Sequence, residues 1–342
     1  MKIRLLGITV LSALLICLLL LYLILWESNT SIRASENIVT IPKGAALSAV
    51  ADSLTNAGVL VRRWSFIGAG KILGLSKSIH YGKYQFESGL SNSTLLKSLS
   101  TGESRLQITV VIPEGWRKER IAKRFEHYLG IDQKRFLELC REKEFIKELG
   151  LESSTLEGYL MPETYKLFWQ TDERDIIQTM VDEFKRFYVD SLQQQQERMR
   201  ISLNDVLTLA SIVEAETALS GERARVAGVY LNRLRKGMKL QADPTVQYIV
   251  VENSHRLTYN DLRINSAYNT YLNYGLPPGP IGNPGRSSIL GVLYPENHSY
   301  YYFVANGQGG HRFSKTLDEH QRAVRSYRKI QRQAAQSSKP GR

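Results

Sequence analysis

The hydrophobic and polar positions divide this chain after its first 26 residues. An apolar run extends from Leu5 to Trp26 and contains no charged side chain. At about 1.5 Å per residue, a helix over this run spans about 30 Å, which matches the hydrocarbon core of a membrane. Lys2 and Arg4 precede the run, and basic residues favour the cytoplasmic side. We therefore predict a single-pass anchor in the cell (inner) membrane over residues 1–26, with a cytoplasmic N-terminus and an extracytoplasmic remainder.

A cleaved signal peptide is the alternative interpretation of the same run. Signal peptides usually have an apolar stretch of about 7–15 residues that ends in a small-x-small cleavage site. Here the run is longer, and Leu25, Trp26 and Glu27 stand where that site is expected. Tyr22 and Trp26 are also typical of a membrane interface. We favour the uncleaved anchor and interpret residues 27–36 as a polar linker.

Residues 37–104 have the pattern of a small α/β module. A short strand at residues 38–41 is followed by a helix whose apolar stripe is Leu47, Val50, Ala51 and Leu54. A second helix, a period-two strand at residues 81–86 and a third helix follow. This order resembles a LysM-like carbohydrate-binding unit, so contact with glycan is one interpretation. A packing and spacer role is the other.

The helical and the two-residue strand periodicities recur in residues 105–330, which predicts a larger α+β domain. Residues 105–113 are strongly β-prone, and residues 300–304 and 311–314 flank Asn306-Gly307 as a hairpin would. Helical patterns occupy residues 117–149, 172–200, 202–217 and 222–236. A basic tail is predicted at residues 331–342.

The charge balance indicates an anionic environment. Lys and Arg number 45 against 33 Asp and Glu, which gives a net charge of +12. For an extracytoplasmic chain, a polyanionic cell wall or lipid headgroups fit this charge better than nucleic acid, so no nucleic-acid partner is predicted. Cys17 lies in the apolar run and Cys140 has no second cysteine outside it, so no disulfide is expected there. The six histidines lack a paired-ligand spacing, and neither a metal nor another cofactor is predicted.

Glu214 and Glu216 stand at the end of the helix predicted over residues 202–217. On a helical wheel they lie about 200° apart, so both can face one cleft only if the helix ends between them. This disfavours a hydrolase that uses the pair as its two carboxylates. One glutamate in an apolar pocket would have a raised pKa and could act as a general acid. The alternative is a pair of solvated glutamates at a helix end.

Six segments, in this order, resemble one known family. They are residues 156–165 (Leu-Glu-Gly-Tyr-Leu-Met-Pro-Glu-Thr-Tyr), 210–217 (Ala-Ser-Ile-Val-Glu-Ala-Glu-Thr), 241–247, 268–271, 275–279 and 305–313. Together they resemble the YceG-like (MltG) endolytic transglycosylases of bacterial peptidoglycan, and the resemblance covers nearly the whole chain. Two positions depart from the family pattern: Ala215 stands where lysine is frequent, and Met161 where an aromatic residue is common.

The resemblance implies a lyase whose catalytic residue is Glu216. This glutamate would protonate the leaving glycosidic oxygen and then receive the proton of the C6 hydroxyl of N-acetylmuramic acid, which closes an anhydro ring on C1. Because the substrate supplies the nucleophile, no second carboxylate is required. Candidates for the substrate-binding shell are Asp243, Gln247, Asn269 and Tyr271, with Glu163 and Tyr165 as further candidates.

We therefore predict an α+β fold class: a single N-terminal transmembrane helix, a small LysM-like α/β module and a larger α+β catalytic domain. The predicted function is cleavage of the MurNAc–GlcNAc bond within nascent strands, which leaves an anhydro-MurNAc end and terminates strand elongation. The expected partners are peptidoglycan strands, the lipid bilayer and peptidoglycan synthases. The alternatives are a non-catalytic wall-binding scaffold of the synthesis machinery, and a peptidoglycan hydrolase that uses Glu216 with a remote acid such as Asp243.

Overall fold

The computed structural model describes residues 2–31, 38–250 and 257–337, and the chain divides into two compact units. The first comprises Met1–Val110, His127–Ile131 and Lys166–Thr171, and the second comprises Val111–Glu126, Asp132–Tyr165 and Asp172–Arg342. The first unit therefore includes three short segments of the region that the sequence assigns to the larger domain, residues 105–110, 127–131 and 166–171.

The first unit contains the apolar helix and the small α/β module. Its elements are α1 (Lys2–Leu25), β1 (Ile38–Ile41), α2 (Leu47–Asn56), α3 (Arg63–Ile72), β2 (Gly82–Gln85) and α4 (Asn92–Thr101). β1 and β2 are antiparallel, with Ile38 opposite Gln85 and Ile41 opposite Gly82. The module has the order of strands and helices that its sequence predicts, while its likeness to LysM units stays a prediction.

The core of this unit is built from one stripe of each helix and the inner face of the strands. Fully buried side chains include Val50, Leu54, Phe66, Tyr84, Leu95 and Leu99. Each large apolar side chain of this kind stabilises the fold by about 1.5–3 kcal/mol relative to its exposed state. Helix α4 begins after Ser91, whose hydroxyl accepts the backbone N–H of Thr94, and ends at Gly102 in the left-handed conformation.

The segment that follows α1 is not a free linker in its described part, residues 27–31. Asn29 is buried, its amide donates to Asn92 Oδ1 at 2.6 Å, and its Oδ1 accepts the backbone N–H of Arg62 at 2.7 Å. Asn92 in turn donates to the carbonyl oxygen of Ile24, in the last turn of α1, at 2.7 Å. The linker over residues 27–36 stays a prediction, but Asn29 within it binds groups of the module instead of water. Residues 32–36 of the predicted linker lie outside the described residues.

The second unit is built mainly of helices. Together with the two strands through which the chain passes between the units, its elements are β3 (Gln107–Val111), α5 (Lys118–Leu129), α6 (Gln133–Leu139), α7 (Lys143–Glu148), β4 (Thr164–Phe168), α8 (Glu173–Phe187), α9 (Asp190–Met199), α10 (Leu203–Glu216), α11 (Ser220–Arg235), α12 (Asp243–Ile249), α13 (Arg286–Leu293), β5 (Tyr302–Ala305), β6 (His311–Ser314) and α14 (Leu317–Ser337). β3 pairs with β4, and β5 pairs antiparallel with β6, with Phe303 opposite Phe313. Helix α14 continues into the predicted basic tail as far as Ser337.

The single helix predicted over residues 172–200 is two helices, α8 and α9. The chain leaves the helical conformation at Tyr188, whose ψ is 64°. The Tyr188 ring stacks on Phe184 at 5.5 Å between centroids, and its hydroxyl donates to Gln196 Oε1 at 2.9 Å. These contacts fold α9 back, and no proline or glycine marks the break in the sequence.

Helix α10 is the centre of the second unit. Every residue from Val206 to Val213 is buried, and the helix packs against α11, α12 and α13. The sequence predicts one buried stripe on this helix, whereas neighbouring elements cover it on all sides. A helix enclosed in this way has a fixed position, and its last residues are fixed with it.

Asn283 joins several segments of the second unit through four hydrogen bonds. This buried side chain accepts the backbone N–H groups of Gly158 and Leu160 at 2.8 and 3.0 Å. It donates to the Trp116 carbonyl oxygen at 2.9 Å and to Glu157 Oε1 at 2.8 Å.

Glu157, in the first of the six segments, has a structural role in this arrangement. It is buried, and Lys118 Nζ lies 2.8 Å from its Oε2. Burial raises the pKa of Glu157, and the Lys118 charge opposes that rise. Gly158 has a φ of 92°, and a Cβ at this position would lie 2.6 Å from Pro280 Cγ, so this turn requires glycine.

We expect Asn283→Ala to lower the free energy of unfolding by roughly 2–5 kcal/mol, because it leaves several buried polar groups without partners. Denaturant titration of the full chain in detergent measures the change. Exposed Asn297 offers a matched control, and Asn297→Ala should change stability by less than about 0.5 kcal/mol. Equal effects of the two substitutions would contradict the role assigned to Asn283.

Candidate active site

Glu216 lies at the C-terminal end of α10, where the buried helix reaches the surface. Ser202 caps the start of the helix by accepting the backbone N–H of Asp205, and Thr217 leaves the helix in an extended conformation. The Glu216 side chain is partly exposed, and its Oε1 accepts a hydrogen bond of 2.6 Å from the hydroxyl of Tyr230 on α11. Tyr230 is itself buried, so the carboxyl group is held by a fixed donor.

The surroundings of Glu216 favour its protonated form more than water does. Burial raises the pKa of Glu216 to about 7; the hydrogen bond from Tyr230 opposes the rise, and Asp243 adds to it. His311 and Arg233 lower the pKa by smaller amounts. The carbonyl dipoles at the end of α10 also disfavour a negative charge there. Among the described residues no cationic side chain forms an ion pair with Glu216, so near neutral pH it is present in both protonation states, as a general acid–base group requires.

Glu214, two residues earlier, differs from Glu216 because a cationic side chain pairs with it. Its Oε1 pairs with Arg223 at 2.5 Å, and its Oε2 accepts the backbone N–H of Gly285 at 2.9 Å and the hydroxyl of Ser288 at 2.8 Å. Burial raises the pKa of Glu214, while Gly285, Ser288 and Arg223 lower it. Three donors, one of them charged, contact this carboxyl group and favour its ionised form against the effect of burial. The predicted separation of the two glutamates agrees with this geometry.

A second acid, Glu114, completes the cluster around Arg223. Its Oε2 lies 3.0 Å from the guanidinium, and this carboxyl side chain is half exposed. A side chain at Gly285 would displace the Glu114 carboxyl group, because a Cβ at that position would lie 1.8 Å from Glu114 Oε1. The cluster therefore locks the end of α10 to the segment that precedes α13.

Asp243 and Tyr271 lie together near Glu216. The Tyr271 hydroxyl donates to Asp243 Oδ1 at 2.5 Å, and Asp243 is exposed. Thr270 fixes this pair: its hydroxyl accepts the backbone N–H of Ala242 at 2.9 Å and contacts Thr245 Oγ1 at 2.9 Å. Both residues contribute to the electrostatic environment that Glu216 shares with Tyr230.

Two other residues that the sequence suggests for substrate binding, Gln247 and Asn269, differ in exposure. Gln247 is exposed on α12, three residues after Pro244, and its backbone carbonyl oxygen accepts a hydrogen bond from Arg117. Asn269 is fully buried, donates to the carbonyl oxygens of Leu262 and Ile264, and accepts the backbone N–H of Tyr271. In this structure Asn269 shapes the loop that carries Tyr271, and its amide is occupied by that loop.

Glu163 and Tyr165, the remaining candidates, flank the start of β4. Glu163 lies at the surface, with its Oε2 3.5 Å from Arg286. Tyr165 is buried and donates to the Met161 carbonyl oxygen at 2.5 Å. Both are occupied by contacts within the fold, and neither is among the main influences on the pKa of Glu216.

Comparison with known proteins identifies the family of this chain. A model of the YceG-like family matches residues 39–326. This chain belongs to the YceG-like family. The match includes all six segments and both glutamates of α10.

Two curated relatives share one functional name. The chain is 32% identical over 316 residues to the endolytic murein transglycosylase of Bacillus subtilis, with 88% of this chain and 86% of the relative covered. It is 27% identical over 320 residues to the endolytic murein transglycosylase of Streptococcus pneumoniae R6, covering 84% of this chain and 57% of the longer relative. A crystal structure of a YceG-like protein from Listeria monocytogenes superposes with a TM-score of 0.59 at 33% identity, covering 83% of this chain and 97% of that one.

In this YceG-like chain, sequence reasoning missed Tyr230 as part of the site. Its ring is buried together with the apolar side chains of α11, but its hydroxyl reaches Glu216. A tyrosine in an otherwise aliphatic stripe was the available signal, because a buried hydroxyl needs a hydrogen-bond partner. The partner itself belongs to another helix and cannot be read from spacing.

The Glu222–His311 pair was also missed. Glu222 Oε2 lies 2.7 Å from His311 Nδ1, and Oε1 accepts the His311 backbone N–H at 2.9 Å. Burial raises the pKa of Glu222, but the bonds to His311 outweigh burial and the pKa is lowered. The His311 ring contacts Phe303, and Phe303 contacts Tyr230, so the β5–β6 hairpin adjoins the site.

Within residues 2–31, 38–250 and 257–337, no group of three His, Cys, Asp or Glu side chains is arranged to hold a metal ion. An open depression of about 900 Å³ lies along α6 and is lined by charged side chains, among them Asp132, Arg135, Glu138 and Glu142. Its lining includes neither Glu216 nor the residues described around it.

The substitutions Glu214→Gln and Glu216→Gln should change stability in opposite directions. Glu214→Gln leaves Arg223 as a buried cation with only half-exposed Glu114 to pair with, so the free energy of unfolding should fall by about 3 kcal/mol. For Glu216 the folded-state pKa of about 7 exceeds the ordinary value of 4.5, so ionisation destabilises the folded state progressively between these pH values.

Glu216→Gln should therefore leave stability unchanged in acid and raise it above pH 7, by up to about 3 kcal/mol. Urea unfolding of both variants and the parent at acidic and alkaline pH measures the difference. A loss of stability in Glu216→Gln equal to that in Glu214→Gln would show that Glu216 is a structural residue.

Proposed function

We propose that this chain is an endolytic murein transglycosylase, a lyase that acts on peptidoglycan. Its family and the printed names of relatives that match most of its length support this function. The site supports it independently, because the α10 glutamate with a pKa near neutrality is the residue on which the resemblance places the chemistry. That single observation carries the proposal.

Glu216 is the proposed general acid and base. In its protonated form it donates to the glycosidic oxygen between MurNAc C1 and GlcNAc C4, and the C1–O bond breaks as the GlcNAc C4 hydroxyl forms. The MurNAc C6 hydroxyl oxygen then bonds to C1, and its proton returns to Glu216. The products are two strands: one ends in 1,6-anhydro-MurNAc, and the other begins with a GlcNAc that has a free C4 hydroxyl. The enzyme regains its initial protonation state. No water is consumed.

Tyr230 and the Asp243–Tyr271 pair are proposed to support these steps. Tyr230 fixes one carboxyl oxygen of Glu216, so that the other is free to face the sugar. The Asp243 carboxylate is exposed, and a negative charge near the reaction centre stabilises an oxocarbenium-like transition state. Gln247 remains a candidate for binding sugar hydroxyls, since its side chain is exposed.

A peptidoglycan hydrolase is the second candidate, and Asp243 is the observation that favours it. An inverting hydrolase pairs its acid with a second carboxylate that activates water. Asp243 acts electrostatically on Glu216, and its carboxyl is exposed. The two reactions differ in their products, because hydrolysis leaves a reducing end where the lyase leaves an anhydro end. A non-catalytic scaffold would leave neither.

We propose that α1 is a membrane anchor. Residues Leu6–Leu25 are long and apolar enough to cross a bilayer, and 6% of this span is buried within the protein. The basic residues before it support a cytoplasmic N-terminus in the cell (inner) membrane. This would place the enzyme beside nascent strands and the synthases that make them. Glycan binding by the small α/β module stays a prediction.

Glu216→Gln should lower the rate of glycan cleavage by about 10²–10⁴-fold, because an amide cannot transfer the proton. Mass spectrometry of digested peptidoglycan strands counts anhydro-MurNAc ends for the parent and the variant. Glu197→Gln makes the same change at an exposed position of the same unit and should retain full activity. Parental turnover by Glu216→Gln would contradict the proposal, and reducing ends from the parent would favour the hydrolase.

Tyr230→Phe should move the alkaline limb of the pH–rate profile to higher pH. The Tyr230 hydroxyl lowers the pKa of Glu216 by stabilising the carboxylate, so its removal raises that pKa from about 7. Steady-state kcat/KM for glycan cleavage over the pH range measures the shift. Tyr188→Phe removes a hydroxyl that binds Gln196 and should leave the limb in place. A shift toward lower pH in Tyr230→Phe would show that another group controls the limb.

A further inference from the structure

Helix α3 carries large apolar side chains that the fold leaves in solvent. Trp64 is 65% exposed, Ile72 is 52% exposed, and Leu73, directly after the helix, is 39% exposed. The opposite side of α3 is buried through Phe66 and Ala69. The helix is therefore apolar on its outer side as well, which indicates a second contact surface.

Trp64 and Ile72 lie on one line along α3, with Gly68 between them. Residues spaced by four lie on one face of a helix, so positions 64, 68 and 72 form a single stripe. Gly68 is the point at which α1 meets this stripe, since a Cβ at Gly68 would contact Ile24 Cγ2 at 3.9 Å. Trp64 and Ile72 consequently lie on either side of the last turn of α1.

The contact with α1 fixes the level of the stripe along the anchor. The candidate span ends at Leu25, and Ile24 belongs to its last turn. Tyr22 and Trp26 stack at the same level, with 6.1 Å between ring centroids, and both are exposed. Aromatic side chains at the end of an apolar span are typical of the boundary between acyl chains and headgroups. The α3 stripe lies at that boundary.

The charges beside the stripe fit an anionic surface. No Asp or Glu occurs between Asp52 and Glu87, whereas the same stretch contains five Lys and Arg residues. Arg62 and Arg63 pair with Glu27 and Asp52. Within the described ranges, no ion pair is formed by Lys71, on α3, or by Lys77, after it, and both are exposed. Lysines beside apolar side chains can extend to headgroups while the apolar groups enter the acyl boundary.

We propose that the α3 face, defined as Trp64, Lys71, Ile72 and Leu73, lies in the headgroup–acyl boundary of the bilayer that α1 spans. The occupant is lipid, with anionic phospholipid headgroups against Lys71 and Lys77. The α3 face is continuous with the lipid-facing surface of α1, which is the reason for choosing lipid over a protein. This inference rests on the proposed anchoring role of α1.

Quenching of a fluorophore by lipid tests the proposal on the full chain. Single cysteines carrying the probe NBD are placed by Trp64→Cys and Ile72→Cys, each with Cys17→Ser, while Cys140 is fully buried and stays unlabelled. Ala49→Cys with Cys17→Ser, on the exposed side of α2, is the matched control. Natural Cys17, exposed within the span, reports insertion of α1. Each protein is reconstituted in vesicles of phosphatidylethanolamine and phosphatidylglycerol with and without a nitroxide-labelled phospholipid.

The proposal predicts that nitroxide lipid removes most of the fluorescence at positions 17, 64 and 72 and little of it at position 49. Quenching at position 17 without quenching at 64 and 72 would overturn the inference and leave the anchor in place. No quenching at position 17 would overturn the anchor and the inference together. Equal quenching at position 49 would also overturn the inference, because the contact would then not be specific to the α3 face.

Discussion

The second unit is organised around one constraint: the Glu216 carboxyl group is largely removed from water, and no cation of the described residues pairs with it. Glu216 stands at the negative end of a helix, with burial as the largest influence on its pKa and one neutral hydroxyl as its hydrogen-bond donor. Such an arrangement destabilises the ionised form, and the rest of the unit must hold it in place. Glu214 shows how the same helix treats an ordinary structural carboxylate, with a guanidinium and two further donors. The contrast supports the catalytic role proposed for Glu216 and a scaffold role for Glu214.

The support for that constraint comes from segments far apart in the chain. The Glu114–Arg223–Glu214 cluster fixes the end of α10 to the segment before α13, and Asn283 joins Trp116, Glu157 and the turn at Gly158. Several residues that carry the family resemblance therefore act as structural ties. A motif can be specific to a family because the fold needs it, even where it does not touch substrate.

Patterns confined to one segment predicted much of the fold. The apolar run, the strand and helix order of the small module, the helix α10 and the β5–β6 hairpin all follow from local periodicity and turn residues. The break between α8 and α9 does not, because it depends on how Tyr188 meets Phe184 and Gln196. Helix α13 and strand β4 were missed, since their short patterns gain their meaning from neighbours.

The residues of the candidate site also fall into two groups, those that local sequence predicts and those that depend on contacts between elements. The position of Glu216 at the end of an apolar helix and the family resemblance both predict it as the catalytic residue, and this stays a prediction. Tyr230 and the Glu222–His311 pair depend on contacts between elements, which spacing along the chain does not encode. Asn269 illustrates the converse: an amide in a polar loop is typical of a sugar site, but this one holds the loop's own backbone. Polar residues in loops bind either ligand or backbone, and only the fold distinguishes the two.

The joint between α1 and the small module has a consequence for proteolysis. Proteases cut extended, accessible backbone most readily. Here the backbone around Asn29 is already hydrogen-bonded, from Asn29 to Leu90 and from Val61 to Asn29. Cutting within residues 27–31 would first require part of the module to open, so this portion of the chain resists cleavage for as long as the module stays folded.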